Sequence, residues 1–405
     1  MKRYWKVGIA CLLVLAFIAV PFLGCGGHKE AGETTIVIGE ITDFTGPAAA
    51  ALRPLHEVLV AVAQYYNDEH LIPGVKFKLV SYDTGLNPAR DIPGYEWVKG
   101  KGAKVIIPIM AWTAETVKPW LERDNVVAFC CSGSARLLEP PGWVFCITAK
   151  FDGQQKALLD WISKNDWDYS KGIPKLGFVG WNDSPSMDID KATKEWCQAH
   201  PGKFDYVSGF MTPQGTMYFG PEAVRLKDCD YIRTYSSMTG YFISDYRAKG
   251  FQRARIFDDS SSSAFRGFFV DLNGYEGMDG FLSLNLAPWW NEPYQTVNLA
   301  KELLYRYQPG ETDKLIYSGS SWVGGFHNFY PLFEIFRRAI EQVGAENFDG
   351  RAVYNVCQNF EIQYEGLPKW YFTPTKHWLF HDVAIYEWSA EARDLVRLSD
   401  WFPCD

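Results

Sequence analysis

Short apolar runs alternate along the chain with longer segments in which apolar residues recur at helical spacing. Residues 36–41 form the first short run. The segment after it places its apolar residues on one helical face: Leu55, Val58, Leu59, Val62, Ala63 and Tyr66. Strands and amphipathic helices in this order are typical of βαβ units, so the pattern predicts parallel sheets.

The later apolar runs predict further strands and indicate how each is covered. Residues 75–79 alternate apolar side chains with lysines, as on a strand with one wet face. Residues 105–109 and 126–130 are apolar throughout and fit strands covered on both faces. A second block of strands is predicted at 176–180, 206–210, 231–235 and 255–257. Two similar α/β halves are expected, and residues 376–388 look like strand without an intervening helix.

The first 25 residues have the organisation of a signal peptide. Lys2, Arg3 and Lys6 precede an apolar run over residues 7–23, about 17 residues long and at the short limit for a membrane span. The run ends at Gly24-Cys25, which resembles the bacterial lipobox and implies lipidation of Cys25. An uncleaved anchor helix with an incidental cysteine is the alternative. Residues 26–34 are interpreted as a flexible tether.

Composition and charge narrow the possible partners. The 405 residues are 47% hydrophobic and 22% charged, which indicates an ordered chain of about two domains. The formal net charge is -8, and no basic block is present that could follow a phosphate backbone. We therefore expect no nucleic-acid partner.

Seven cysteines follow Cys25 in the sequence, and this odd number leaves at least one thiol unpaired in a monomer. Cys197 and Cys229 are a plausible disulfide pair because each lies beside a predicted strand of the same half. No CxxC motif and no Cys/His cluster with zinc spacing occurs. We predict structural thiols, no metal site and no cofactor.

Signatures of catalysis are also missing from the sequence. It contains no GxSxG, HExxH, GxGxxG or GxxxxGK[ST] motif. Asp258 and Asp259 are adjacent on an extended segment, so their side chains should point to opposite sides and not form a dyad. The sequence therefore does not predict an enzyme.

The order of several motifs resembles one family, the type I periplasmic binding proteins of the branched-chain amino-acid (Leu/Ile/Val) transport class. Residues 39–47, GEITDFTGP, are similar to that family's first strand and the loop after it. Residues 105–108 and 127–137 are similar to its third and fourth strands, with their ligand-facing loops. Residues 241–257 and 328–344 are similar to helices and a strand further along the chain. The resemblance runs from about residue 35 to residue 401.

The resemblance implies an α/β fold of two Rossmann-like lobes, joined by a three-crossing hinge, that close on a ligand. Residues 35–149 and 281–362 would form the first lobe. Residues 150–280 and 363–405 would form the second. Strand ends and helix N-termini would meet in the cleft, where backbone N–H groups and hydroxyls can hold a carboxylate.

The resemblance also implies a set of ligand-binding residues. The carboxylate grip would fall on Trp112, Thr113, Ser132 and Ser134, although helix capping is an alternative role for the two serines. Asp259 would take the ligand's ammonium, or it would be a solvated loop aspartate.

Aromatic residues make up 16% of the chain, and some stand where relatives face the ligand. These are Trp181, Tyr235, Trp322, Phe326 and His327, for each of which core packing is the alternative. Ser184-Pro185-Ser186 replaces the family's Tyr-Gly pair in the second lobe. Another amino acid, an aromatic acid, an amide or a short peptide-like solute is therefore an alternative to a branched-chain ligand.

The resemblance implies a monomeric solute-binding component of an ABC importer that delivers a small molecule to the permease transmembrane subunits. Its expected location is the periplasm or the outer face of the cell membrane, held by the lipid on Cys25. The alternative is a lipid-anchored sensor of the same fold that signals through a membrane receptor. A hydrolase would need a nucleophile beside a base, and the sequence offers no such pair.

Overall fold

The computed structural model describes residues 33–46 and 48–404. The predicted signal peptide, the lipidation site Cys25 and residues 26–32 of the predicted tether lie outside the described residues. Among those described, no helix combines the length and the apolar character that crossing a bilayer requires.

The first sheet is parallel, with the strand order β2-β1-β3-β4-β5. Its strands are β1 (Thr34–Thr42), β2 (Val75–Asp83), β3 (Val105–Pro108), β4 (Val127–Cys130) and β5 (Val144–Cys146). The helices between them are α1 (Ala49–Asp68), α2 (Asp91–Gly100), α3 (Ala111–Asp124) and α4 (Ala135–Leu138). The predicted strand order along the chain is confirmed, and β5 is an addition that the sequence analysis missed.

The second sheet begins with parallel strands in the order β10-β9-β8-β6-β7. These strands are β6 (Lys175–Trp181), β7 (Asp205–Thr212), β8 (Tyr231–Arg233), β9 (Arg255–Asp258) and β10 (Leu282–Asn285). Their helices are α5 (Phe151–Asn165), α6 (Ser184–Ala199), α7 (Gly220–Arg225), α8 (Met238–Ala248) and α9 (Arg266–Met278). This is the second α/β half that the sequence predicts.

The chain then returns to the first sheet and crosses back once more. The returning elements are α10 (Gln295–Tyr307), α11 (Thr312–Ser318), α12 (Ser321–Val343), α13 (Gly350–Cys357), β11 (Glu361–Gln363) and β12 (Lys369–Tyr371). The last elements, β13 (Asp382–Ser389), β14 (Asp394–Arg397) and β15 (Phe402–Pro403), extend the second sheet in antiparallel fashion. Within the described residues the chain thus passes between two lobes at 147–150, 286–294 and 372–381.

Two of these crossings lie later in the chain than expected. Leu282–Asn285 pairs with β9 on one side and β13 on the other, so it belongs to the second lobe and not, as its position after residue 281 suggested, to the first. Trp370 packs edge-on to His327, and the Phe372 ring lies 5.1 Å from the Phe145 ring. The segment after residue 362 therefore stays on the first lobe until about residue 381.

The expected Cys197–Cys229 disulfide is not formed, because both thiols are free. The two side chains face different neighbours. Cys229 lies against Gly177 on β6, where an added Cβ would meet its Sγ at 3.1 Å. Cys197 lies on α6, and the neighbouring charge of Asp205 adds to the effect of burial in raising its thiol pKa to about 11.

Candidate functional site

The carboxyl ends of the parallel strands in the two lobes come together, and hydrogen bonds join the lobes there. The Ala135 N–H, at the start of α4, donates to Asp188 Oδ2 on α6 at 2.8 Å. The Ser184 hydroxyl, at the start of α6, donates to Glu115 Oε2 on α3 at 3.2 Å. Since helices of both lobes begin at this edge, it is the place where a bound molecule would meet both.

Two aspartate side chains, the buried Asp43 and the half-buried Asp83, fix the loop that follows β1. Asp43 accepts hydrogen bonds from the N–H groups of Thr45 and Ala48, at 3.2 and 3.0 Å. Asp83, at the end of β2, accepts from the N–H of Phe44 at 2.9 Å. The hydrogen bonds that the Asp83 carboxylate accepts outweigh its partial desolvation and lower its pKa. This loop therefore forms a preorganised wall at the strand ends.

The predicted contacts on α3 divide into one buried residue and one half-buried residue. Thr113 is buried, and its hydroxyl donates to Asp91 Oδ1 at 2.9 Å, which ties α3 to α2. Burial raises the pKa of Asp91 to about 6, although the hydroxyl hydrogen bonds of Thr113 and Thr116 work against it. Trp112 is half-buried. The Thr113 hydroxyl therefore joins two helices, and its proton is already donated to Asp91.

Ser132 and Ser134 behave differently, although only one residue separates them. The Ser132 hydroxyl is buried and has no hydrogen-bond partner among the described residues. The Ser134 hydroxyl donates to Glu115 Oε1 at 2.9 Å and does not cap α4. The capping alternative is therefore wrong for Ser134, while the buried Ser132 hydroxyl remains without a hydrogen-bond partner among the described residues. A buried hydroxyl without a partner is costly, which suggests that a bound molecule satisfies it.

Asp259 is neither a solvated carboxylate nor a free one. It is 1% exposed, and its Oδ2 accepts a hydrogen bond from Arg233 Nη2 at 2.6 Å. Arg233 also binds Asp258 through Nη1 and the Gln155 side chain through Nε, the latter at 2.8 Å. One buried guanidinium therefore bridges the two adjacent aspartates, and the prediction that their side chains point to opposite sides is wrong.

Burial and ion pairing act in opposite directions in this cluster. Burial raises the pKa of Asp258 to about 8, although Arg233 works against the shift. Burial also opposes the charge of Arg233, but the two carboxylates outweigh it and raise the guanidinium pKa. The guanidinium therefore stays charged although it is fully buried.

Trp181 and Tyr235 lie at the carboxyl ends of β6 and β8. Trp181 is half-buried, and its indole N–H donates to the Thr216 carbonyl at 3.2 Å. Tyr235 packs edge-on to Phe151, with the ring centroids 5.8 Å apart. Burial raises the pKa of Tyr235 well above its ordinary value, so the phenol stays neutral. In the described part of the chain nothing hydrogen-bonds its hydroxyl, which leaves one neutral polar group for a ligand.

Trp322, Phe326 and His327 lie in the interior between α10 and α12. The Trp322 indole N–H donates to the Ala300 carbonyl at 2.9 Å, and Phe326 is fully buried. The His327 ring nitrogens bond the Val323 carbonyl at 2.6 Å and the Thr296 hydroxyl at 2.8 Å. These contacts favour core packing, which was the alternative role for the three residues. None of the three belongs to the candidate site.

The buried position of His327 predicts a pH dependence of stability. Burial lowers its pKa to about 4, so folding favours the neutral ring. This contribution, about 3 kcal/mol, is complete above pH 6.5 and is lost as the pH falls towards 4. The stability advantage of the wild type over His327→Gln, measured by urea unfolding, should therefore shrink by about that amount between pH 7 and 4. His200→Gln is the control, and an equal change there would contradict the assignment.

Gly133 holds the loop after β4 against the first crossing. A Cβ at this position would lie 2.2 Å from the Ala149 carbonyl oxygen, so one of the two segments would have to move. We expect Gly133→Ala to cost about 1–3 kcal/mol of unfolding free energy and to weaken ligand binding. Gly100→Ala at the end of α2 has open space and should be neutral or stabilising. Equal effects of the two variants in urea unfolding would rule out the close packing.

Comparisons with known proteins agree with this geometry. A family model described as "Periplasmic binding protein" matches residues 35–393. No curated protein sequence matches the chain.

Among the described residues no group of His, Cys, Asp and Glu side chains could hold a metal ion.

Solved structures share the fold at low sequence identity. A branched-chain amino-acid ABC transporter protein of Thermus thermophilus with bound valine has a TM-score of 0.78 at 18% identity, covering 92% of this chain and 97% of its own. An R. palustris solute-binding protein in complex with 4-hydroxybenzoate has a TM-score of 0.77 at 18% identity, with coverages of 91% and 97%. A fatty-acid ABC transporter substrate-binding protein of Thermomonospora curvata has a TM-score of 0.75 at 15% identity, covering 91% and 92%.

The fold and the meeting of strand ends define a two-lobed binding protein with the type I periplasmic binding fold. Because the family model spans most of its length, the chain belongs to the periplasmic binding protein family. The expected fold class and the family resemblance are confirmed.

Proposed function

We propose that this chain is the solute-binding component of an ABC importer and that it holds a small carboxylic acid between its two lobes. It would perform no reaction of its own and would deliver the ligand to the permease transmembrane subunits. The observation that carries the proposal is the buried, unpartnered hydroxyl of Ser132 in the loop after β4, at the edge where the two lobes are hydrogen-bonded together.

The start of α3 supports a carboxylate as the bound group. This helix runs for 14 residues from Ala111, and Met110 before it supplies no side-chain cap. The first N–H groups of a helix have no partner within the helix and carry a partial positive charge, so they bind anions. The Ser132 hydroxyl follows the neighbouring strand β4 and would donate a further hydrogen bond.

The ligands associated with the similar structures support the same chemistry. Valine and 4-hydroxybenzoate are bound in two of them, and the third belongs to a fatty-acid transporter. These molecules differ in size and polarity, but each carries one carboxyl group. A carboxylate grip on the first lobe with a variable second lobe would accommodate such a range.

The proposed cellular setting follows from the N-terminal sequence. Cys25 would carry the lipid, and residues 26–34 would tether the two lobes to the outer face of the membrane. Transport delivery then depends on the liganded lobes docking on a permease pair.

A thermal-shift screen of the full-length protein in detergent, against a set of small carboxylic acids and their amides, tests this function. A ligand present at 100 times its dissociation constant adds about 2.7 kcal/mol of stability, which raises the melting temperature. We expect carboxylic acids to shift it and the matched amides to have little effect.

Ser132→Ala should weaken binding of the best acid roughly tenfold, since one hydrogen bond to a charged group contributes about 1.5 kcal/mol. Ser163→Ala is the control, because Ser163 is a buried serine of α5 whose hydroxyl bonds within its own helix. The proposal fails if no acid shifts the melting temperature, or if both serine variants bind equally well.

A further inference from the structure

We infer that Arg233 makes the binding site select carboxylic acids that lack an α-ammonium group, because its guanidinium occupies the acidic side chain that would otherwise hold the ammonium. This inference rests on the proposed function and narrows its ligand class. The ligand would be an acid with a neutral alkyl or aryl tail.

Both carboxylate oxygens of Asp259 already accept hydrogen bonds. Oδ2 accepts from Arg233 Nη2 at 2.6 Å, and Oδ1 accepts from the N–H of Ser261 at 2.9 Å. The side chain is 1% exposed. An incoming ammonium would have to displace a guanidinium that is itself fully buried.

The position of the Arg233 guanidinium is fixed by partners other than Asp259. Its other donors bind Asp258, the Thr234 carbonyl and the Gln155 side chain. The planar guanidinium presents its donors in a fixed fork, so losing Asp259 would strain or break the remaining contacts. The ion pair with Asp259 is therefore a fixed part of the second lobe.

The other acidic side chains where the lobes meet also accept hydrogen bonds from the protein. Glu115 accepts the hydroxyls of Ser134 and Ser184, and Asp188 accepts the Ala135 N–H. Asp183 accepts the Ser186 N–H at 2.9 Å, as the cap of α6. Each of these carboxylates already has a hydrogen-bond donor from helix α6 or from the lobe contact.

The Tyr235 phenol is the neutral polar group left for the ligand's far end. Its hydroxyl has no hydrogen-bond partner among residues 33–46 and 48–404, and Trp181 is half-buried at the end of the neighbouring strand β6. Aromatic side chains favour an apolar or aryl tail, with one hydrogen bond from the phenol. An α-ammonium would lose its hydration there, while the nearby carboxylates of Asp183 and Asp259 already accept hydrogen bonds from the protein.

Matched ligand pairs test the inference on the full-length protein. 3-Phenylpropanoate and L-phenylalanine differ only in the α-ammonium, and so do 4-methylpentanoate and L-leucine. We expect at least a tenfold tighter apparent affinity for the acid of the pair that binds, read from thermal-shift titrations. Equal or tighter binding of the amino acid would overturn the inference and leave the proposed function standing. No shift by either member of any pair, or by any other acid, would overturn both.

A matched pair of double variants assigns the selectivity to Arg233. Arg233→Gln with Asp258→Asn removes the guanidinium and one of its two carboxyl partners and frees Asp259. Arg233→Gln with Asp259→Asn removes the guanidinium and the other carboxyl partner, which leaves Asp258 as the acid. The first variant should gain amino-acid binding at least tenfold relative to the acid, and the second should not. Equal selectivity in both variants would overturn the role of Arg233. If either fails to fold, the wild-type ligand pairs decide the question.

Discussion

Replacing Arg233 by methionine should lower the free energy of unfolding by about 3–5 kcal/mol, because it leaves the carboxyl groups of Asp258 and Asp259 buried without the guanidinium that pairs with them. Arg233 is 1% exposed, so water cannot replace it. Urea unfolding at pH 7, followed by tryptophan fluorescence, measures the change.

Arg253→Met is the matched control for this prediction. Arg253 pairs with Asp230 at 2.8 Å, but its side chain is 56% exposed. A surface pair contributes at most about 1 kcal/mol, so this variant should unfold almost like the wild type. If both arginine variants lost the same small amount of unfolding free energy, the buried cluster would not stabilise the fold more than a surface ion pair does.

Trp322→Ala should cost about 3–5 kcal/mol of unfolding free energy and leave ligand affinity unchanged, because the indole fills the space between α10 and α12. Its side chain is fully buried, and its N–H is bonded to Ala300. Urea unfolding gives the stability, and a thermal-shift titration with the best acid gives the affinity.

Trp97→Ala controls for the loss of a tryptophan, since the Trp97 side chain is 41% exposed on α2. That variant should change stability by less than about 1 kcal/mol. If Trp322→Ala kept its stability and lost ligand binding, Trp322 would be a ligand contact and not a core residue.

The sequence predicts the longer elements of the fold because their apolar pattern is unambiguous. The first strand and the run at 105–109 are found close to where the pattern places them. The sequence analysis missed the short strands β5 and β10, although it predicted β3 and β4, which are equally short and apolar throughout. Missing β10 also moved the expected lobe boundary to residue 281.

The candidate site is harder to predict because its decisive contacts join residues far apart in the chain. Asp259 was expected at the end of a strand, and it lies there, but its partner Arg233 is 26 residues earlier. A charged residue inside the predicted strand at 231–235 was the one available signal. Glu115 and Asp188 gave no signal, since acids on helices are usually solvated.

Sequence also assigned core residues to the site, namely Trp322, Phe326 and His327. They follow one another on α12, a helix that is apolar around most of its circumference, so spacing cannot tell which face is covered. The family resemblance placed these three residues at the ligand. Their hydrogen bonds to α10 instead place them in the core of the first lobe.

Hydrogen–deuterium exchange of the full-length protein with and without its best acid tests the central claim, that one small molecule is held between the two lobes. With ligand bound, we expect slower exchange at the strand ends of both lobes together, in residues 109–113 and 131–135 of the first lobe and 181–186 and 233–236 of the second. The outer helices should exchange as before. Protection confined to one lobe, or found away from these strand ends, would contradict it.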